Sequence, residues 1–276
     1  MLRDRARSAA ILVPLLLFAL FLGPPGIAAV VILATIAAAI EVFRLLEAAG
    51  YQSFPLIGVI LAVVVALGDS VKALPGGSGL LLAGVGIVLV GVAALGQLDP
   101  REGLATFVTT VFGALYAGLL GFVVRLTDTA APIPGSSALG WLGSERAWVL
   151  LLLLTVWSYD TGAYAVGRRF GRRRFMAHIS PGKTLEGVGG GLVAAVVVAS
   201  VVVLAIGRPV LLAIPFAILT AAAAQAGDLA ESMLKRAAGA KDSGRLIPGH
   251  GGMLDRVDSF LFAAPVAFLY VTAVFG

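Results

Sequence analysis

Long apolar runs, broken at intervals by short polar stretches, cover the chain from one end to the other. A helix that crosses a hydrocarbon layer of about 30 Å needs roughly 17–25 such residues. Nine runs of this kind are read, at about residues 8–23, 25–46, 54–70, 79–97, 104–126, 147–166, 186–206, 209–234 and 257–275. The first is short and ends at Gly23-Pro24-Pro25-Gly26, which admits a cleaved signal peptide. A retained span is preferred, because no clear small-x-small cleavage site follows and the next span begins at once. The pattern predicts an all-α, polytopic integral membrane protein of about nine transmembrane helices. It is read as one membrane-embedded domain over 1–276, with N-terminal helices in 1–126 and the chemistry in 147–276. No internal repeat is evident, which weighs against an inverted-repeat transporter.

Composition and charge sharpen this reading. Hydrophobic residues make up 59% of the 276 positions and charged ones only 13%, against about one quarter in soluble domains. The absence of cysteine excludes disulfides, thiolate ligands and a cysteine nucleophile. With His178 and His250 the only histidines, a metal here must be a hard ion held by carboxylates, such as Mg²⁺. Placing the N-terminus in the cytoplasm and threading nine spans puts all the basic residues on that side except Lys72, Arg125, Arg146 and Arg208. The two long charged loops, about 167–185 and 235–256, then share the cytoplasmic face. The nearly uncharged 127–146 stretch lies outside. No aromatic-interleaved basic patch points to nucleic acid.

Polar residues collect against the hydrophobic trend in the last third of the chain. At helical spacing Asp228, Glu231 and Lys235 lie along one face. A carboxylate in a membrane helix costs about 2.5–3.5 kcal/mol on insertion scales, so Asp228 is read as functional or cavity-lining. For Glu231 an interfacial pair with Lys235 at i, i+4 stands as an equal alternative. Asp255 and Asp258 sit three apart at the start of the last span, on one helix face. Opposite Asp228 across a helix pair they would form an oxygen-only cation site. Helix capping is the alternative, and it explains Asp255 better than Asp258. The glycines of Pro248-Gly249-His250-Gly251-Gly252 suit either a phosphate approach or a tight turn. His250 by itself is given no general-base role.

A second polar group brackets the other cytoplasmic loop. Asp160 and Tyr164 share a face at the end of one span, followed by Arg168, Arg169 and Arg172-Arg173-Arg174. Ser180-Pro181-Gly182-Lys183-Thr184 then opens the next helix. Gly182-Lys183-Thr184 is not a nucleotide-binding P-loop, since that motif requires glycine where Ala177 stands. A helix N-terminus carrying Lys183 and Thr184 still suits an anionic oxygen. The arginine run reads first as a positive-inside anchor.

The segment from Ser232 to Asp258 resembles the signature of the phosphatidate cytidylyltransferase (CDP-diacylglycerol synthase) family. The matching positions are Ser232, Lys235-Arg236, Lys241-Asp242, Gly244, Pro248, His250-Gly251-Gly252, Asp255-Arg256 and Asp258. The Asp160–Tyr164, Gly167-Arg168 and Ser180–Thr184 elements resemble it too, so the similarity covers about 157–258. The resemblance implies an integral membrane enzyme that uses CTP and phosphatidate, requires Mg²⁺ and works as a homodimer, with K⁺ as a candidate second cation. It implies Asp228, Asp255 and Asp258 as metal ligands and catalytic residues. Lys235 and Lys241 join them in the catalytic set. Asp160, Arg168, Ser180, Lys183, Thr184, Ser232, Arg236, His250 and Arg256 are the candidates for substrate binding.

The residues themselves fit such a reaction. Phosphatidate already carries an anionic nucleophile, so the protein must chiefly bring two polyanions together and neutralise their charge. Two rivals are a CTP-dependent polyprenol kinase, which would release CDP, and a cation-coupled transporter using intramembrane aspartates. Clustering of polar groups at one face, not along a path across the membrane, disfavours the transporter.

Overall fold

Proline and helix-capping residues set the starts of several helices. The computed structural model describes Pro14 and residues 16–70, 78–129, 131–246 and 251–276. Residues 16–22 are helical, and α1 (Pro24–Ala48) follows with prolines in its first turn. Next come α2 (Pro55–Leu67), α3 (Ser78–Ala94), α4 (Pro100–Gly118) and α5 (Phe122–Thr127). The series is completed by α6 (Ser144–Phe170), α7 (Leu185–Ala205), α8 (Ala213–Ala237) and α9 (Leu254–Tyr270), the last running into a π-turn at Val271–Phe275. Proline at a first helical position loses no hydrogen bond and has its φ already set. At α4 this is joined by Asp99, whose carboxylate accepts the Arg101 N–H at 2.8 Å. Among the described residues no strand forms; the nearest thing is an isolated antiparallel bridge between Arg174 and Thr184.

Six helical segments are long and apolar enough to cross a membrane: Pro24–Ala48, Pro100–Thr127, Ser144–Phe170, Leu185–Ala205, Val210–Ala237 and Leu254–Phe275. Pro55–Leu67 and Ser78–Ala94 are apolar but shorter. All eight lie where the hydrophobic pattern predicts a span. Residues 8–13 and 15 of the first predicted run, 8–23, fall outside the described residues, as do Arg3, Arg5, Arg7 and Lys72. Large apolar side chains such as Leu80, Leu104, Val193 and Leu204 face outward, as lipid-facing positions do. The chain is an all-α integral membrane protein.

The chain resolves into two compact units, Met1–Val124 with Met233–Leu261, and Arg125–Ser232 with Phe262–Gly276. In the first, α1, α2 and α4 pack together around buried Val42, Phe43, Ala62 and Ala114. The Thr110 hydroxyl accepts the Phe54 N–H at 2.9 Å and ties the start of α2 to α4. In the second unit α6 and α7 form the tightest pair. A side chain at Gly162 would meet Ala194 and the Gly190 carbonyl, and one at Gly191 would meet the Tyr159 ring at 2.7 Å. Only small residues let two helix backbones approach so closely. The other end of this unit is closed by Arg208, whose guanidinium donates to the carbonyls of Pro132 and Phe275, and by Trp148, whose indole donates to the Ala131 carbonyl at 2.8 Å.

Candidate active site

The second unit gathers three charged residues: Asp160 on α6, Lys183 in the turn before α7, and Asp228 on α8. Close α6–α7 packing brings the end of α6 beside the start of α7. Between them residues 171–184 fold back on themselves: the Phe175 N–H donates to the Lys183 carbonyl and the Leu185 N–H to the Arg173 carbonyl, both at 2.9 Å. The Glu186 carboxylate pins this turn by accepting the N–H groups of Arg172 and Arg173 at 3.0 and 3.1 Å. Thr184 is buried and caps α7, its hydroxyl accepting the Gly187 N–H at 3.1 Å. Lys183 is thereby aimed at α8, where its ammonium meets the Asp228 carboxylate at 2.6 Å. The other Asp228 oxygen accepts from Ser232 at 3.3 Å. Asp160 on α6 stands near enough for the charges of Asp228 and Lys183 to act on it. Beneath, the buried Tyr159 donates to Gln225 at 2.8 Å.

The first unit builds its own cluster at the start of α9. Asp255 is only 8% exposed in its side chain, and Lys235 pairs with it at 2.7 Å. The second Asp255 oxygen accepts the N–H groups of Ser243 and Gly252 at 3.0 and 2.8 Å, and lies 2.9 Å from the Ser243 hydroxyl. That same hydroxyl lies 2.9 Å from the carboxylate of Glu41, on α1. Glu41 also accepts the Met253 and Leu254 N–H groups, at 3.0 and 2.8 Å. The first N–H groups of a helix have no partner within it, and here a carboxylate from another helix takes them. The glycines of this loop make room for the two acids. Gly251 has φ +86°, and a side chain there would strike the Asp255 carboxylate; one at Gly252 would overlap Ser243 and Glu41.

The predicted site residues therefore sort by what they touch. Asp228, Lys183, Asp160 and Ser232 come together in one unit, and Lys235 and Asp255 in the other. Lys235 donates to Asp255, and the Gly252 N–H is used by Asp255. Asp258 lies on the first turns of α9, its carboxylate accepting the neighbouring Ser259 N–H at 2.6 Å. Arg168, Arg236, Lys241 and Arg256 are exposed and Ser180 half-buried. Arg168 donates to the Tyr164 hydroxyl and Arg236 to the Ala240 carbonyl. His250 lies outside the described residues. Sequence reasoning missed Glu41, although an acid inside an apolar run is the same signal that singles out Asp228.

The oxygen donors suit Mg²⁺ by hardness. Among the described residues no three acidic or histidine side chains are grouped to hold an ion between them. Mg²⁺ is ordinarily held by one or two carboxylates, with substrate phosphates completing its shell. The residues fit an ion arriving with its nucleotide, and Asp228, about one third exposed, is the more accessible acid of the two lysine-paired ones.

The profile of the cytidylyltransferase family matches residues 3–274. The chain belongs to this family. Among curated relatives, the phosphatidate cytidylyltransferase of Bacillus subtilis is 44% identical over 125 residues, 45% of this chain and 46% of that protein. That of Haemophilus influenzae is 46% identical over 123 residues, covering 42% and 43%. The Brucella suis protein of the same name is 37% identical over 193 residues, covering 70% and 64%. The chain thus spans a little under half the length of the first two relatives. For a cytidylyltransferase-family chain, both lysine–carboxylate clusters are candidate sites for handling phosphate.

Proposed function

We propose that this protein transfers the cytidylyl group of CTP to phosphatidate, forming CDP-diacylglycerol and pyrophosphate for phospholipid synthesis. The observation that carries the reading is that the family-signature residues fold into two acid–lysine clusters, Lys183–Asp228 and Lys235–Asp255, in a chain matched to the family almost throughout. A phosphatidate oxygen attacks the α-phosphorus of CTP in line; the new P–O bond forms as the bond to the β-phosphate oxygen breaks and pyrophosphate leaves. Lys183 and Lys235 offer compact charges to phosphate oxygens once substrate competes for them, and Lys241, Arg168, Arg236 and Arg256 are exposed to assist. Ser180, Ser232, Thr184, His250 and Asp160 are the remaining candidates for orienting substrate. Asp228, Asp255 and Asp258 are the candidate ligands for Mg²⁺, each with substrate phosphates completing the shell and not as one group, and with K⁺ as a candidate second ion; bound there, Mg²⁺ would supply further charge neutralisation on the phosphates.

The same proposal takes nine spans with the N-terminus and both clusters at the cytoplasmic side, supported by the skewed distribution of basic residues. It takes a homodimer as the working form. The test is an assay of purified protein in mixed micelles with phosphatidate, labelled CTP and Mg²⁺. CDP-diacylglycerol and pyrophosphate in equal amounts, both lost in D228N, is the expected result. Phosphorylated lipid with CDP would make the protein a lipid kinase, and no nucleotide-dependent product from folded protein would overturn the reading.

A further inference from the structure

Glu41 belongs to an apolar helix, is 4% exposed, and comes from the N-terminal part of the chain, far from the signature residues. An ionised carboxylate is retained in such a place only if its oxygens are satisfied. Here they are satisfied entirely by the segment that presents Asp255: one oxygen takes the Met253 N–H, the other the Leu254 N–H and the Ser243 hydroxyl. Ser243 is the hinge of the arrangement. Its hydroxyl oxygen stands 2.9 Å from both Glu41 and Asp255 and also accepts the Asp255 N–H at 3.3 Å. A hydroxyl has one proton to give, so the two acids share a single donor, and moving either one frees Ser243 toward the other. Gly244 fits the same construction, since a side chain on it would meet the Glu41 carboxylate at 2.5 Å.

We infer that Glu41 is a positioning residue for the proposed reaction: it fixes the backbone at Met253–Leu254 and, through the Ser243 hydroxyl, the carboxylate of Asp255. It touches no substrate in this scheme. Lys235 then meets an acid whose orientation is already set, which is how binding groups avoid losing orientational freedom during reaction. The inference rests on the proposed function for its catalytic consequence, but not for its structural one.

Glu41→Gln tests it, because glutamine keeps the shape yet turns an NH₂ group toward donors. Amide hydrogen exchange is followed at Ser243, Gly252, Met253 and Leu254, whose N–H groups are held by Glu41 or Asp255. The expected result is faster exchange confined to these positions, an unfolding midpoint close to that of the parent protein, and kcat per folded molecule down about 100-fold with KM for CTP little changed. Unchanged exchange at these four amides overturns the inference, as does faster exchange with unaltered kcat, which would make Glu41 a structural cap only. Ser243→Ala is the second variant, removing the shared hydroxyl without touching either acid; it is expected to lower kcat in the same way. Failure of both variants to fold would also reduce Glu41 to a structural cap. If the parent protein makes no CDP-diacylglycerol while the exchange result holds, the proposed reaction falls and the Glu41–Asp255 coupling stands.

Discussion

Lys235 and Asp255 are the most enclosed ion pair described in the protein, with side chains 13% and 8% exposed. Such a pair earns its stability only as a pair: taking away one partner strands the other without water, at about 3–5 kcal/mol. Asp255 keeps three further donors, from Ser243 and Gly252, so K235M is expected near the lower end, about 3 kcal/mol. Unfolding of the detergent-solubilised protein measures this. Lys183 and Asp228 are more open, and K183M should unfold within about 1 kcal/mol of the parent protein while losing cytidylyl transfer. An equal drop in stability for both lysines would contradict the difference in enclosure. G252A provides a check on the loop, since its methyl would overlap Ser243 and Glu41. Overpacking of that kind is worth about 1–3 kcal/mol, and the variant should lose activity along with stability.

At the scale of elements, the α6–α7 pair sets where Lys183 points. G191A forces a methyl against the Tyr159 ring and carbonyl, and the helices must separate to admit it. The expected result is a loss of about 1–3 kcal/mol and a raised KM for CTP, because the turn carrying Lys183 moves with α7. T184A removes the cap of α7 and should cost about 1 kcal/mol by thermal unfolding. The helices themselves were legible in the sequence because a spanning helix needs a long apolar run, and such runs stand out against any polar interruption. Their ends were less so: α2 stops at Leu67 and α3 at Ala94, short of the ends at 70 and 97 that the apolar runs suggest. Local capping at Asp99 and Thr184 sets ends that hydrophobicity alone does not mark.

Over the whole molecule, the candidate site was legible where its residues lie close in sequence, and hidden where they do not. Asp228, Lys235 and Asp255 lie close in sequence, across the end of one apolar span and the polar loop that follows it, and family resemblance marks all three. Glu41 is 202 residues from Ser243, and only folding relates them. The pairing of Lys183 with Asp228 was equally invisible, since Lys183 had a local reading at a helix N-terminus and nothing in the sequence relates it to Asp228. Membrane orientation can be tested directly, because the chain has no cysteine of its own. In S136C the thiol should react with an impermeant maleimide from outside intact cells. In R172C it should react only after the membrane is opened. The reverse pattern would invert the proposed topology.

The cap that Glu41 places on the last helix has a consequence for biosynthesis. At about 5–20 residues per second, a ribosome needs roughly 10–40 s to make the 202 residues that separate Glu41 from Ser243. Through that interval the acid is already in a membrane-bound nascent chain, yet the amides and hydroxyl that will hold it have not been made. It must be kept by water at the bilayer edge until they arrive. The Leu254–Tyr270 helix thus completes the surroundings of Glu41, and chains released before it is made carry an acid in an apolar helix without the donors that hold it in the fold.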